Sequence, residues 1–313
     1  MPPGRQLTDR DMSLLSCLAM CGLLTYNQAK AIYNNVTNYH YKRLSQLEER
    51  GYIKCGKYIE ITPLGIRATG GKSSPMNVRE EWKKEVLIKL SEIYIGLSGW
   101  KYLSSREVKK QLNMNASSPI NAYIEKDGEG YAIYLLNKEP RKATIKSLRG
   151  SLKKLWIHGI SRAIVFASSS EAMNVVDGTE TKLKSLLVLP YPYGIELLKH
   201  KDQIQSYVES KLQDFVPSNR PFANYEKGNT FVSVLVFNDI IKRDALSGYL
   251  KYASAREGRE VVIVCLKNQC EKFGQLFPDI KQIVIPGPES QRQEARQDVQ
   301  QEDRQEGQHE NTR

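Results

Sequence analysis

The sequence has little of what membrane proteins, disulfide-rich proteins and zinc proteins depend on. No apolar run approaches the length of a membrane-spanning helix, and the best stretch, residues 14–24, follows Asp9 and Asp11 and lacks a cleavage pattern. The five cysteines are odd in number and form no CxxC pair, and none of the four histidines is near them in sequence. We therefore predict a cytoplasmic protein with buried free thiols, no membrane insertion and no metal site.

The sequence also lacks a phosphate-binding loop of the form GxxxxGK(S/T), so no cofactor is expected. Acidic residues are the scarcer charge, 35 against 46 basic residues, which gives a net charge of +11. Residues 289–313 carry four basic and seven acidic side chains, which leaves +14 on residues 1–288. A body this basic favours a polyanionic partner. The polar, acidic composition from residue 288 onward predicts a disordered tail.

Residues 37–51, TNYHYKRLSQLEERG, predict a helix that starts after a hydroxyl side chain and ends at a glycine. Tyr41, Leu44 and Leu47 recur at helical spacing and are expected to pack. The other face is polar and basic, so we expect it to contact phosphates and base edges. The candidate DNA-binding residues of this helix are Thr37, Asn38, Tyr39, His40, Lys42, Arg43 and Gln46.

The flanks of this helix predict a winged helix-turn-helix. Thr8 and Thr25 each begin a capping-box pattern, which predicts two helices upstream. Residues 52–55 and 58–62 are strand-like and are joined by a Gly-Lys bend, which predicts a hairpin. In such a fold the third helix enters the major groove. The hairpin would contact the DNA backbone through Lys54, Lys57 and Tyr58. A winged helix that contacts protein instead is the alternative.

Three segments carry a resemblance: LTDRDMSLLSCLAMCGLLTYNQAKAIY, YKRLSQLEERGYIK and IEITPLGIRA. They resemble the opening of the replication–relaxation family, bacterial plasmid and mobile-element proteins with a winged helix followed by a nuclease-like domain. The resemblance covers residues 7–68 and continues more faintly to about residue 155. It implies a role in plasmid replication or DNA transfer, with replication or transfer proteins as partners.

The middle of the chain predicts an α/β body. An amphipathic helix is expected at residues 78–94, with Trp82 on its packed side, and Ser104 begins a further capping box. Residues 122–124 and 131–136 predict a hairpin, and short apolar runs later in the segment predict buried strands. A helix at residues 141–156 has one basic face, which we interpret as a phosphate-binding surface, with an ordinary solvated face as the alternative. Its basic residues are Lys142, Lys146, Arg149 and Lys153.

The resemblance implies that this body is a restriction-endonuclease-like core. Such a core needs two carboxylates to hold Mg²⁺ and a lysine to assist the attacking water. The corresponding positions are Asn121, Leu136 and Lys138, which leaves no carboxylate pair. We therefore predict a protein without catalysis of its own. A metal-dependent nuclease that uses displaced carboxylates, Glu125 or Asp127, is the alternative.

Residues 231–285 predict a βαβαβ segment that echoes the middle region at an offset near 100 residues. The echo is either an internal duplication or two instances of a common unit, with Tyr131 opposite Phe231. The predicted fold class is α+β and α/β. The predicted domains are a winged helix at 1–72, a degenerate nuclease-like domain at 76–217, the βαβαβ segment at 218–287 and the tail at 288–313.

The predicted function is sequence-specific binding of double-stranded DNA by a plasmid or mobile-element protein, in replication initiation or DNA transfer. A winged-helix transcriptional regulator is the second interpretation, and a protein-interaction module with an incidental basic surface is the third. The sequence leaves a homodimer open.

Overall fold

The computed structural model describes residues 6–35, 38–71 and 78–288 of the chain. These residues form a mixed α+β protein with helices and three sheets. The chain divides into two compact units, Met1–Leu135 and Leu136–Arg313. The acidic tail from residue 289 onward lies outside the described residues.

Helices alternate with short strands in the N-terminal part of unit 1. The strands form an antiparallel sheet in the order β1-β3-β2. Strand β1 is only two residues long, too short for an alternating pattern to show it in the sequence. The elements are α1 (Asp9–Cys21), β1 (Leu23–Leu24), α2 (Tyr26–Ile32), α3 (Tyr39–Glu49), β2 (Ile53–Cys55), β3 (Ile59–Ile61) and α4 (Pro63–Ala68).

Local capping signals set the starts of these helices. The hydroxyls of Thr8 and Thr25 each accept a hydrogen bond from the backbone N–H three residues on, at 3.2 Å in both cases, and both predicted capping boxes are confirmed. Thr62 starts α4 in the same way. Gly65 must lack a side chain, because a Cβ there would collide with the carbonyl oxygen of Tyr52. Close packing of α4 on the chain before β2 therefore depends on this glycine.

The remainder of unit 1 packs a helix and an antiparallel meander next to these elements. Its elements are α5 (Glu81–Gly96), β4 (Lys101–Ser104), α6 (Ser105–Gln111), β5 (Ala122–Lys126) and β6 (Glu129–Leu136). The strands β4, β5 and β6 pair antiparallel in chain order. The β5–β6 turn is the predicted hairpin, with Asp127 and Gly128 at φ values of 51° and 77°.

Helix α5 packs on the N-terminal elements through its middle and last turns. The side-chain amide of Gln28 donates to the carbonyl of Ile88 at 2.9 Å, and the hydroxyl of Ser91 donates to the carbonyl of Leu23 at 2.5 Å. Trp82, predicted to pack, is 59% exposed. The buried residues are Leu87, Leu90, Ser91 and Ile93. The prediction for Trp82 is wrong because its position lies in the first turn of α5, away from that buried stretch.

Unit 2 contains a parallel pair of strands and a five-stranded sheet. Strands β7 and β8 are parallel, and the five-stranded sheet has the order β13-β12-β11-β10-β9. The first of its elements are α7 (Lys142–Lys154), β7 (Arg162–Ala167), α8 (Ser170–Asn174), β8 (Ser185–Pro190), α9 (Tyr193–Lys199) and α10 (Lys201–Lys211). The others are β9 (Val216–Pro217), β10 (Tyr225–Lys227), β11 (Thr230–Val234), α11 (Ile240–Tyr252), α12 (Ser254–Glu257), β12 (Glu260–Leu266), α13 (Cys270–Leu276) and β13 (Lys281–Ile285).

The predicted βαβαβ segment is confirmed: β11, β12 and β13 are parallel, with helices between them. Its first helix, α11, starts at Ile240, because the carboxylate of Asp239 accepts from the N–H of Ile241 at 3.0 Å and caps the helix. Of the cysteines expected to be buried, Cys55 and Cys270 are only half-buried.

Two antiparallel meanders, β4-β5-β6 and β9-β10-β11, repeat one arrangement. The side-chain oxygen of Asn121 accepts from the N–H of Leu135 at 2.8 Å, and that of Asn224 accepts from the N–H of Val234 at 2.9 Å. The N–H of each asparagine also donates to the third strand of its meander, to the carbonyl of Ile133 in β6 and to that of Val232 in β11. These bonds place Ile133 opposite Val232, one position away from the predicted match of Tyr131 with Phe231. The shared pattern favours an internal duplication.

Candidate nucleic-acid interface

Three asparagines precede α3. Asn34, Asn35 and Asn38 have φ values of 60°, 56° and 57°, a left-handed conformation that asparagine tolerates better than most residues. Helix α3 starts at Tyr39, and its cap position, Asn38, makes no side-chain capping bond. Thr37, predicted to cap the helix and to contact DNA, lies outside the described residues.

A buried carboxylate in α1 holds α3 in place. Asp11 is fully buried and accepts hydrogen bonds from Nε of Arg43 at 3.2 Å, from the hydroxyl of Tyr33 at 2.7 Å and from the N–H of Thr8 at 2.8 Å. The Arg43 guanidinium also pairs with Asp11 through Nη2. Burial raises the pKa of the Asp11 carboxyl, but the bonds from Arg43, Tyr33 and Thr8 together outweigh it, so the pKa is lowered.

The same ion pair keeps Arg43 charged. The hydrogen bond to Asp11 raises the pKa of the Arg43 guanidinium above its usual value. Nη1 of Arg43 donates to the side-chain oxygen of Gln46 at 2.7 Å. The first turn of α1, the residue after α2 and the middle of α3 are therefore joined at one charged centre. Arg43 is a positioning residue of α3.

The predictions for α3 are wrong at three positions. Arg43 was expected on the exposed face, but its side chain is only 10% exposed. His40 was predicted to contact DNA, but it is buried, with 3% exposure. Tyr41 was expected to pack, but it is 54% exposed. The buried stripe consists of His40, Arg43, Leu44 and Leu47. It lies to one side of the predicted stripe because Asp11 gives an arginine an interior partner.

The exposed face of α3 runs the length of the helix: the acidic Glu48 and Glu49 are exposed in its last turn, and the candidate DNA-contacting part is the N-terminal half. Tyr39 and Gln46 are half-buried. Lys42 has no ion-pair partner among the residues that the structure describes. Ser45 and Tyr41 were not predicted as site residues. Had the buried stripe been predicted to pass through His40, both would have been placed on the exposed face. The exposed residues of this half are Asn38, Tyr41, Lys42 and Ser45.

Aromatic and polar contacts place the β2–β3 hairpin beside α3. The ring of Tyr41 lies 6.1 Å from that of Tyr26, whose hydroxyl donates to the carbonyl of Gly56 at 3.1 Å. The N–H of Cys55 donates to the carboxylate of Glu48 at 2.7 Å. The helix and the hairpin therefore present one continuous surface.

The basic residues of the hairpin differ in their freedom. Lys54 is exposed and has no partner in the described part of the chain. Lys57 is also exposed, but it pairs with Glu81 of α5, which raises the pKa of Lys57. The hydroxyl of half-buried Tyr58 donates to the same carboxylate at 3.3 Å. Lys54 is therefore free to bind an anion, whereas Lys57 must first release the carboxylate of Glu81.

The predicted basic face of α7 in unit 2 is exposed, but only half of it is free. Arg149 donates to the carbonyl of Val175 through Nη2 at 2.7 Å and through Nε at 3.0 Å. Lys153 lies 3.5 Å from the carboxylate of Glu180. Lys142 and Lys146 have no recorded partner within the described ranges. These two lysines are the residues of the face that remain available to phosphates.

The positions implied for nuclease chemistry hold other contacts. The oxygen of Asn121 is taken by the N–H of Leu135, Leu136 is buried and Lys138 is exposed. Glu125 pairs with Lys101 at 3.1 Å, and Asp127 lies in the exposed turn. Among residues 6–35, 38–71 and 78–288, no group of three His, Cys, Asp or Glu residues could hold a metal ion.

Comparison with protein-family models, curated proteins and solved structures finds no match for this chain. Within the described residues, no helix is both long enough and apolar enough to cross a membrane. The functional assignment therefore depends on the chain's own residues.

Proposed function

We propose that this chain binds double-stranded DNA in a sequence-specific manner, with a winged helix-turn-helix at residues 6–71 and α3 as its recognition helix. The element order and the β1-β3-β2 sheet support this proposal. The observation that carries it is the exposed N-terminal face of α3, which the buried Asp11–Arg43 pair holds in one orientation. A polar face fixed in this way can read base edges without losing much conformational freedom on binding.

The residues of this surface suit two kinds of contact. An asparagine can bond to adenine and a lysine to guanine in the major groove, which gives Asn38 and Lys42 the role of reading bases. The exposed ring of Tyr41 and the hydroxyl of Ser45 add contacts beside them. Lys54 and Lys57 would bind phosphates next to the groove, as the hairpin of such a fold does. Lys142 and Lys146 of α7 would add phosphate contacts that are independent of sequence.

The α/β part is proposed to be a restriction-endonuclease-like body that has lost catalysis. Its support is the asparagine at position 121, where the resemblance implies a carboxylate, and the bond that occupies this side chain. Asn224 makes the same bond in the second meander. From the resemblance, the protein would act in the cytoplasm on plasmid or mobile-element DNA, at an origin of replication or transfer, together with replication or transfer proteins.

Footprinting on the DNA of its own replicon tests the proposal. We expect protection of a defined site in an origin or transfer region, lost or blurred in Lys42→Ala and kept in Lys267→Ala, a control at an exposed lysine of unit 2. A site in a promoter would favour the transcriptional regulator. Absence of DNA affinity, or affinity that does not change with salt, would overturn the DNA-binding proposal, because phosphate binding releases counterions.

The nuclease alternative has a direct test of its own. Supercoiled plasmid incubated with the protein and Mg²⁺ or Mn²⁺ is expected to remain intact. Metal-dependent cleavage that is lost in Asp127→Ala would show that displaced carboxylates do the chemistry, and the non-catalytic proposal would then be wrong.

A further inference from the structure

An apolar cavity of about 490 Å³ lies within unit 1, bordered by the C-terminal end of α1, by α5 and by α6. Its walls include the side chains of Leu18, Met20, Leu87, Leu90 and Tyr102. Small-molecule sites usually have volumes of about 300–1,000 Å³ and mostly apolar walls. The size and the walls of this cavity therefore suit a ligand with an apolar body.

The cavity is bordered by charges of one sign only. Arg106, Lys109 and Lys110, all on α6, line it, and none of the described residues that line it is acidic. No acidic partner is recorded for any of the three in the described part of the chain. The carboxylate of Glu107, on the same helix, accepts hydrogen bonds from the N–H and the hydroxyl of Ser104 at 2.8 and 2.7 Å. Three cations without a counter-charge at an apolar cavity favour an anionic ligand group.

Lys109 is the cation that would gain most from such a ligand. It is half-buried, its ammonium donates only to the carbonyl of Ala116, at 3.0 Å, and burial lowers its pKa. A carboxylate beside it would supply the opposite charge that the surrounding protein does not. A cationic ligand would instead meet three like charges.

The two serine hydroxyl groups at the cavity are already used. Ser105 donates to the carbonyl of Ile120 at 2.6 Å, and Ser104 belongs to the capping box of α6. A sugar or another neutral polar ligand would therefore find few free partners. An apolar body with one charged end matches what the cavity leaves unsatisfied.

We propose that this cavity binds a small amphipathic anion, with its apolar body between α1 and α5 and its carboxylate beside Lys109. The proposal is independent of DNA binding, because it concerns only the cavity in unit 1.

Titration calorimetry of the full chain with decanoate, decanol and decyltrimethylammonium tests it, at ligand concentrations below micelle formation. These probes share one apolar chain and differ in charge. We expect one site for decanoate, about tenfold tighter than for decanol, and no binding of the cation. Lys109→Gln should weaken decanoate binding about tenfold and leave decanol unchanged. Lys101→Gln, an exposed lysine outside the cavity, is the matched control and should change neither.

A second variant tests the apolar part of the site. Ala19 lines the cavity and is half-buried, so Ala19→Phe should fill the space and abolish binding of both decanoate and decanol. Ala31→Phe, at an exposed position of α2, should leave binding intact. Thermal unfolding of each variant checks that it is folded. Equal affinity for the acid and the alcohol, binding that survives Ala19→Phe, or no binding at all would each overturn the proposal.

Discussion

Removing a charge from water is costly, and two charged groups are buried among the described residues of unit 1, the Asp11 carboxylate and the Arg43 guanidinium. The Asp11 carboxylate is tolerated because Arg43, Tyr33 and Thr8 satisfy it from different elements. This arrangement makes the arginine necessary for the position of α3, although the side chain itself contacts solvent little. Adjacent residues of α3 therefore have different proposed roles: Lys42 contacts DNA, and Arg43 holds the helix in position.

Arg43→Leu should reduce stability far more than an exposed substitution does. Its loss leaves Asp11 buried without a counter-charge, which costs about 3–5 kcal/mol of unfolding free energy. The double variant Asp11→Asn, Arg43→Leu should regain part of that loss, since no unpaired charge remains. Urea denaturation measures both variants. Lys42→Ala is the matched control and should change stability by less than about 0.5 kcal/mol, while it weakens DNA binding. An Arg43→Leu protein with unchanged stability would contradict the structural role.

The lowered pKa of Asp11 predicts a pH dependence of stability. A carboxyl whose pKa is lower in the folded state contributes stability that is complete above its unfolded pKa of about 4. That stability is lost as the pH falls through the lowered folded value. Denaturation midpoints should therefore fall below about pH 4 in the wild type and fall less steeply in Asp11→Asn. Identical pH profiles for the two proteins would show that another group governs acid unfolding.

At the scale of elements, the sequence predicts those features that depend on residues close together in the chain. The capping boxes at Thr8, Thr25 and Ser104 are confirmed because their partners lie three residues away. The exposed face of α3 depends instead on Asp11, 32 positions from Arg43 along the chain. A periodicity argument therefore assigns a charged residue to solvent unless a distant partner is known. For the same reason the pairing of Lys57 with Glu81 could not be foreseen.

The hairpin allows a prediction in which DNA affinity rises. In the proposed function Glu81 would compete with phosphates for Lys57, so Glu81→Gln should strengthen DNA binding and steepen its salt dependence. Glu80→Gln removes the same charge one position away, where the partner is Lys83 instead, and serves as the control. Filter binding or fluorescence anisotropy at several salt concentrations measures both. Equal effects of the two substitutions would show that only net charge matters.

At the scale of the whole molecule, free lysines are spread over both units. Lys42 and Lys54 belong to unit 1, and Lys142 and Lys146 belong to unit 2. The net charge of +11 alone would predict general affinity for polyanions. The free lysines are the side chains expected to provide this affinity. In the proposed function α3 of unit 1 reads the bases, and Lys142 and Lys146 of unit 2 bind phosphates only. Specificity should therefore come from unit 1, and unit 2 should add affinity that does not depend on sequence.

The salt dependence of DNA binding distinguishes these contributions. Each phosphate contact changes the slope of log K against log salt by about −0.9, so four to five contacts give roughly −3.6 to −4.5. The double variant Lys142→Ala, Lys146→Ala should reduce the magnitude of the slope by about 2 and weaken specific and non-specific DNA alike. Lys153→Ala, whose lysine already lies beside Glu180, should leave the slope nearly unchanged. If the double variant keeps the full slope, the basic face of α7 is an ordinary solvated surface and unit 1 binds DNA alone.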